Sequence, residues 1–446
     1  MNVFNRSAVV RILAVALVAA GMLTACTNND EPVIPVEHVY SDPSEELEAF
    51  RQQVLSAANG WEGSLSPQPG KMYRLFLELD AQGKVMLYAD VDTTTAKLAT
   101  TTGYRIETTQ KVNASLVFEA GSNLDRIAIA GTHRHVDLAY SVKSAQGDTL
   151  RLLGNEYGDE LVLVKASRDH RDRYVAQALK NSLKTISAYI AAVRYFYFQP
   201  EPDKLVQLMM NPLSRDIYVT YLNQGARFFG SDYAYSLDGI ALNAPLDANG
   251  YGAAEIFWDA QAGVLYTYYN NARMDLKTSP IPVIPLHYLL GNEYPPGAVV
   301  LSTYLEKLPG WSAKFQTLWL KDDNALTAQE VSLYYIIFQL HMDTNKLDLY
   351  VYYVLDDVMR RAKFPYAFTK TADGIFDFSP LKIDDHDADA ADAHFIDGKM
   401  PNIFDVINNH RFHIEFFDAS ATLGGPIPQY ISVEDPGIYF TGYFYQ

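Results

Sequence analysis

Cysteine is almost missing from this chain: Cys26 is the only one in 446 residues. An internal disulfide and a cysteine-rich metal site are therefore excluded. Catalytic signatures are missing too. There is no Gly-x-Ser-x-Gly elbow for acyl transfer, no Walker loop for nucleotides and no His-Glu-x-x-His helix for zinc hydrolysis. Basic charge is scarce: 36 Lys and Arg stand against 53 Asp and Glu. The net charge of −17 would repel phosphate backbones, which argues against a nucleic-acid partner. A glycosidase needs two opposed carboxylates, and among so many acids the sequence nominates no pair. Nothing points to a cofactor.

What is present begins at the N-terminus. Residues 1–11 carry two arginines and no acid, and residues 12–23 form an apolar run. This is the pattern of a secretory signal over residues 1–25, and the run is shorter than the roughly 20 residues of a spanning helix. Leu23-Thr24-Ala25-Cys26 follows and resembles the lipobox of bacterial lipoproteins. The resemblance implies lipidation of Cys26, so membrane attachment through acyl chains and no thiol catalysis. Each buried CH₂ of such a chain contributes roughly 0.8 kcal/mol. Thr27-Asn28-Asn29-Asp30-Glu31 resembles the acidic export signals of Bacteroidetes surface lipoproteins. Residues 26–41 then read as a lipidated tether.

About 420 residues remain after the signal, enough for two or three domains, and a hydrophobic content of 48% supplies their cores. The expected fold class is mainly β with some α. Antiparallel units, each a lipocalin-like barrel or a sandwich, are linked by a long helix. Residues 42–166 make the first domain. Asp42-Pro43-Ser44-Glu45 starts a helix that ends near Asn59-Gly60, and Trp61 plugs the following sheet. From Met72 the apolar period is two, with Tyr73, Leu75, Leu77 and Leu79 on one face and Arg74 and Glu78 on the other. A Lys84–Val91 return strand makes a hairpin, and Ala139–Lys143 with Thr149–Leu153 makes another.

Residues 167–204 read as a helical connector, because Val175, Leu179, Leu183, Ile186, Ile190 and Val193 form an apolar stripe along Arg168–Phe196. Residues 205–324 form a second β-rich unit with a proline-rich connection at Ser279–Pro296, and 325–446 a third. The two share a repeat. Tyr233-Ala234-Tyr235, Asp238-Gly239-Ile240 and Pro245-Leu246 are echoed by Tyr366-Ala367-Phe368, Asp373-Gly374-Ile375 and Pro380-Leu381. An Ile-Phe pair follows in each, at Ile256-Phe257 and Ile403-Phe404.

Asn59-Gly60-Trp61, Tyr73-Arg74-Leu75-Phe76-Leu77, Ser115-Leu116-Val117-Phe118 and the strand Gly239–Leu246 together resemble an uncharacterised family of Bacteroidetes outer-membrane lipoproteins. Such proteins are often encoded beside Sus-like uptake systems. The resemblance implies that setting and no catalytic residues.

Candidate chemistry is sparse. Asp384, Asp385, Asp387, Asp389 and Asp392 share one loop and offer oxygen ligands for Ca²⁺, without the glycine and glutamate of an EF-hand; the competing reading is a solvated acidic loop. His133, His135 and His394 are scattered potential ligands. The aromatic runs Tyr195–Phe198, Tyr266–Tyr269 and Tyr350–Tyr353 suit either stacking on sugars or cross-strand packing. The expected function is a non-enzymatic, lipid-anchored accessory protein of the outer membrane, at the cell surface or facing the periplasm. It would bind a glycan or peptide ligand, or a transporter partner, for nutrient uptake. The alternatives are a hydrolase of surface glycans or peptides and an adhesive or structural surface protein.

Overall fold

Alternation of apolar and polar residues governs most of the chain. The computed structural model describes residues 43–67, 71–109, 113–130, 135–248, 251–301 and 308–446; the signal segment, Cys26, the tether and His133 lie outside them. Within these residues the fold is mostly antiparallel β, drawn into three successive barrel-like sheets.

The first follows helix α1 (Pro43–Val54). Its strands are β1 (Trp61–Ser66), β2 (Tyr73–Leu79), β3 (Lys84–Ala89), β4 (Thr100–Thr109), β5 (Asn113–Phe118), β6 (Ala139–Gln146), β7 (Thr149–Gly154) and β8 (Glu160–Lys165). They stand in sequence order, and β8 returns to β1 with Trp61 opposite Lys165 and Ser66 opposite Glu160. The closed ring has no edge strand to protect. Trp61, Gly63 and Leu65 are buried, while Glu62 and Ser64 face outward. A Cβ at Gly63 would sit 3.0 Å from Leu75 Cβ and 3.2 Å from Leu163. The lipocalin-like wiring is therefore present, but side chains fill the interior where a lipocalin keeps a ligand cavity. Phe50 and Val54 of α1, with Leu124 and Ile127 of α2 (Asn123–Ala130), join that core. The Trp61 indole donates to Val54 O at 2.9 Å, tying the end of α1 to the barrel.

The expected long helix is broken. The chain forms α3 (Arg168–Val175) and α4 (Ala178–Ala192), with Gln177 between them at φ 64°, in the left-handed region. Across the break the helices share one apolar core: Tyr174 stacks on Phe76 of β2, ring centroids 4.5 Å apart, and both rings pack in the same cluster as Leu179, Leu183, Ile186 and Ile190.

Strand β9 (Tyr195–Glu201) starts where the helical stripe was expected to end, so the second unit begins near 195 and not 205. It continues through β10 (Lys204–Asn211), β11 (Asp216–Leu222), β12 (Ala226–Tyr235), β13 (Gly239–Ala248), β14 (Tyr251–Asp259), β15 (Val264–Tyr269) and β16 (Ala272–Asp275). Directly after β16, β17 (Lys277–Ser279) pairs with the free edge of β9, bending the sheet almost shut.

The third sheet has the same wiring. After the short α5 (Leu286–Leu289), β18 (Gly297–Leu301) comes first, so this unit begins before the expected residue 325. Helix α6 (Ala313–Thr327) precedes β19 (Ser332–His341), β20 (Lys346–Leu355), β21 (Val358–Lys370) and β22 (Ile375–Pro380). Helices α7 (Ala390–Ile396) and α8 (Pro401–Asn409) intervene before β23 (Arg411–Ala419), β24 (Gly425–Ser432) and β25 (Tyr439–Thr441). Finally β26 (Tyr443–Tyr445) pairs with β18, as β17 does with β9. The repeated Tyr-Ala-aromatic and Asp-Gly-Ile motifs occupy the same hairpin in both sheets, between the fourth and fifth strands. The Ile-Phe pairs are not equivalent: Ile256-Phe257 lies in β14 and Ile403-Phe404 in α8.

Candidate functional site

The outer face of the first barrel meets the second barrel across α3, and a cleft of about 290 Å³ opens there. Strand alternation supplies one wall. With Trp61 and Leu65 turned inward, Glu62 and Ser64 of β1 face the cleft, as do Arg74 of β2 and Val162 and Val164 of β8. Helix α3 supplies the roof. Ser167 caps it by accepting the His170 N–H at 3.1 Å, which places His170 and Tyr174 over Glu62. The second barrel supplies Ser236, Leu237 and Asp238 from the β12–β13 turn and Glu255 from β14. Arg173 of α3 holds that turn, with Nη2 at 2.6 Å from Asp238 Oδ1 and 3.2 Å from Leu237 O.

The polar groups are dense and paired unevenly. Glu62 faces His170 Nδ1 at 2.9 Å and accepts the Tyr174 hydroxyl at 3.4 Å. Burial, and next the charge of Glu62, hold that hydroxyl far above the usual tyrosine range, so it stays a proton donor. Arg74 Nη2 lies 3.6 Å from Glu255 Oε1, while its Nε is buried without a hydrogen bond. Beyond the Arg74–Glu255 pair lies a second hollow of about 330 Å³, walled by Ala241, Leu242, Ala253, Phe257 and Tyr268. Tyr268 is 46% exposed and stands edge-on to Phe257, ring centroids 5.7 Å apart. A guanidinium with an unclaimed donor thus lies between a polar chamber and an apolar shelf. Such a combination would suit a small ligand with one polar and one apolar part. Ser64 and His170 share the cleft, and no hydrogen bond joins them; His170 pairs with Glu62 instead.

The two barrels are locked beside this cleft. Lys71 bridges Asp216 and Asp232 of the second barrel, and Arg215 reaches across to the fully buried Asp90.

The carboxylates of the acidic loop each have a partner within the fold. Asp389 takes the Arg361 Nε at 2.7 Å, Asp387 the Lys363 ammonium at 3.2 Å, and Asp392 the Tyr353 hydroxyl at 2.5 Å with Arg360 at 3.5 Å. Asp385 pairs with His394 at 2.9 Å, and Asp384 accepts the His386 N–H. The Asp389 N–H, then Lys363, hold Asp387 below the usual carboxylate range. Asp387, Asp389 and Asp392 thereby staple the start of α7 to β20 and β21. Among the described residues no three acidic or histidine side chains converge as a metal site. His135 stacks on Tyr157 at 4.9 Å.

The aromatic runs divide. Tyr195, Phe196 and Phe198 are core. Tyr266 and Tyr268 form an outward group with Phe257, and Tyr352 packs on Tyr335 at 4.5 Å. The cleft residues Glu62, His170, Tyr174 and Glu255 escape a sequence reading, because they come from three elements with no shared motif. The outward assignment of Arg74 in its alternating strand is the one signal that pointed here.

Residues 43–260 match the family model of a domain of unknown function, DUF4302. The DUF4302 match runs from α1 through β14, so it contains both walls of the cleft and the Asp90–Arg215 lock. No curated protein matches the chain.

Proposed function

We propose that this protein is a lipid-anchored accessory protein of the outer membrane, of the kind found in Bacteroidetes, that captures a small ligand for a Sus-like uptake system. The lipobox-like segment ending at Cys26 supports the anchor. Among the described residues no helix is long and apolar enough to cross a membrane. The observation that carries the binding reading is Arg74, whose buried Nε lacks a hydrogen bond between a chamber lined by Glu62, His170 and Tyr174 and the shelf of Phe257 and Tyr268. Held near a transporter by its anchor, such a cleft raises the local concentration of what it binds.

The test begins with a mild-detergent pull-down of the tagged full chain, followed by mass spectrometry. Co-recovery with an outer-membrane transporter names the substrate to titrate, and recovery alone removes the uptake reading. In the titration Arg74→Ala should weaken binding at least tenfold; unchanged affinity would move the site elsewhere. Cys26→Ala should shift the protein from membranes to the soluble fraction. Glu62 and Glu255 share the cleft, so the same titration is read for released sugar ends or peptide fragments. Their appearance would replace capture with hydrolysis.

A further inference from the structure

We propose that the third barrel carries a second, separate binding site for an uncharged saccharide, in the pocket between α8 and the β21–β22 hairpin. The pocket has a volume of about 460 Å³. It lies outside residues 43–260 and shares no lining residue with the inter-barrel cleft.

Helix α8 divides its faces. Ile403, Val406 and Ile407 are buried in the core, while Pro401, Phe404, Asp405 and Asn408, spaced by three and four residues, line the pocket. Across from them the hairpin supplies Pro365, Pro380 and Leu381. Leu381, directly after β22, is 44% exposed and lines the pocket.

The polar groups are oriented in advance. Tyr366 donates its hydroxyl to Asn408 Oδ1 at 2.9 Å, which fixes the amide and leaves its N–H groups unclaimed by that bond. Asn409 donates to Asp405 Oδ1 at 2.8 Å, fixing that carboxylate in turn. Phe364 and Phe404 meet edge-to-face at 4.7 Å beneath them.

Charge selects the ligand class. Asp397 and Asp405 line the pocket and no Lys, Arg or His does, so an anion meets only repulsion. Among the described residues no metal-binding group of three acidic or histidine side chains forms, here or elsewhere, which disfavours a bare cation. A wholly apolar ligand would strip water from Asp405 and Asn408 without replacing their hydrogen bonds. A neutral sugar meets each requirement: its C–H faces lie on Pro and Phe walls, and its hydroxyls both give and accept hydrogen bonds.

Calorimetric titration of the full chain with maltotriose, cellotriose and chitotriose tests this, with trigalacturonate and calcium chloride run alongside. At least one neutral trisaccharide should bind saturably, and trigalacturonate should bind at least tenfold more weakly. Asn408→Ala and Asp405→Ala should each weaken the neutral sugar tenfold or more at an unchanged melting temperature. Asp397→Asn, on the exposed rim, replaces either variant whose melting temperature falls. The proposal is overturned if none of the neutral sugars binds, if trigalacturonate or calcium binds in preference, or if the folded variants retain full affinity.

Discussion

Arg215 of the second barrel donates from Nη1 to Asp90 Oδ2 of the first at 2.9 Å, and Asp90 has no solvent exposure. The carboxylate also accepts the Arg74 N–H at 2.9 Å and the Tyr235 N–H at 2.8 Å. The guanidinium lies between the rings of Tyr73 and Tyr235, 5.2 Å from each centroid. Arg74 therefore carries both the cleft and a backbone link to the lock that fixes the barrels together. Removing one partner of such a buried pair strands the other charge, at a cost of about 3–5 kcal/mol. Asp90→Ala should lower the denaturant midpoint accordingly; a change below about 1 kcal/mol would mean that water reaches Arg215 in the variant.

His287 provides a pH prediction. It is 8% exposed, its Nε2 has no hydrogen bond, and burial, then the nearby Lys370, lower it from 6.5 to about 4. The folded ring stays neutral where the unfolded ring takes a proton. Its contribution is thus fully present above pH 6.5 and is lost as pH falls from there towards 4. The loss should be on the order of 2 kcal/mol, after allowing for partial solvent screening. Urea unfolding at pH 7 and pH 4.5 measures it, and His287→Asn should flatten the difference. An equal slope in both proteins would assign the acid sensitivity to carboxylates.

The same histidine sets the cost of Gly374→Ala. Gly374 has φ +85°, and a Cβ there would lie 2.2 Å from His287 Nδ1. Gly158 has a similar φ of +77° with nothing within 4 Å. Both alanines carry about 1 kcal/mol of left-handed strain, and only Gly374→Ala adds a clash, so it should cost 1–3 kcal/mol more. Thermal melts of the two variants make the comparison. Equal losses would show that the α5 segment gives way freely.

The strands were legible in the sequence because their core faces alternate: Tyr73, Leu75 and Leu77 announce β2 without reference to any partner. The repeat was legible for a related reason, since the Asp-Gly turn and its flanking aromatics form one local hairpin. The break at Gln177 was not, because the stripe from Val175 to Val193 is continuous in sequence, although Val175 itself is exposed in the fold. Strand β18 was hidden by α6, which separates it from β19 in sequence although the two pair. The cleft was hidden most completely, since Glu62, Arg74, His170 and Glu255 meet only after two barrels dock. The partners of the acidic loop were equally hidden, since its carboxylates cluster in sequence and disperse in space onto Arg361, Lys363 and His394.

Asp322 on α6 links stability to the second pocket. Helix α8 starts after Met400, which offers no side-chain cap, and Pro401 occupies its first turn. The cap comes from another helix. Asp322, with no solvent exposure, accepts the Ile403 N–H at 2.7 Å, the Asn402 N–H at 3.3 Å and the Asn402 amide at 2.7 Å. A carboxylate at this position satisfies orphan N–H groups and favours the positive end of the helix dipole. Asp322→Ala should cost about 1–3 kcal/mol, because buried donors lose their acceptor. Asp322→Asn keeps one acceptor oxygen and should cost less. Hydrogen exchange checks the mechanism: the amides of Asn402 and Ile403 should exchange faster in Asp322→Ala, while those of the first barrel stay protected. Uniform acceleration over all three barrels would instead mean that Asp322 supports the whole fold and not the start of α8.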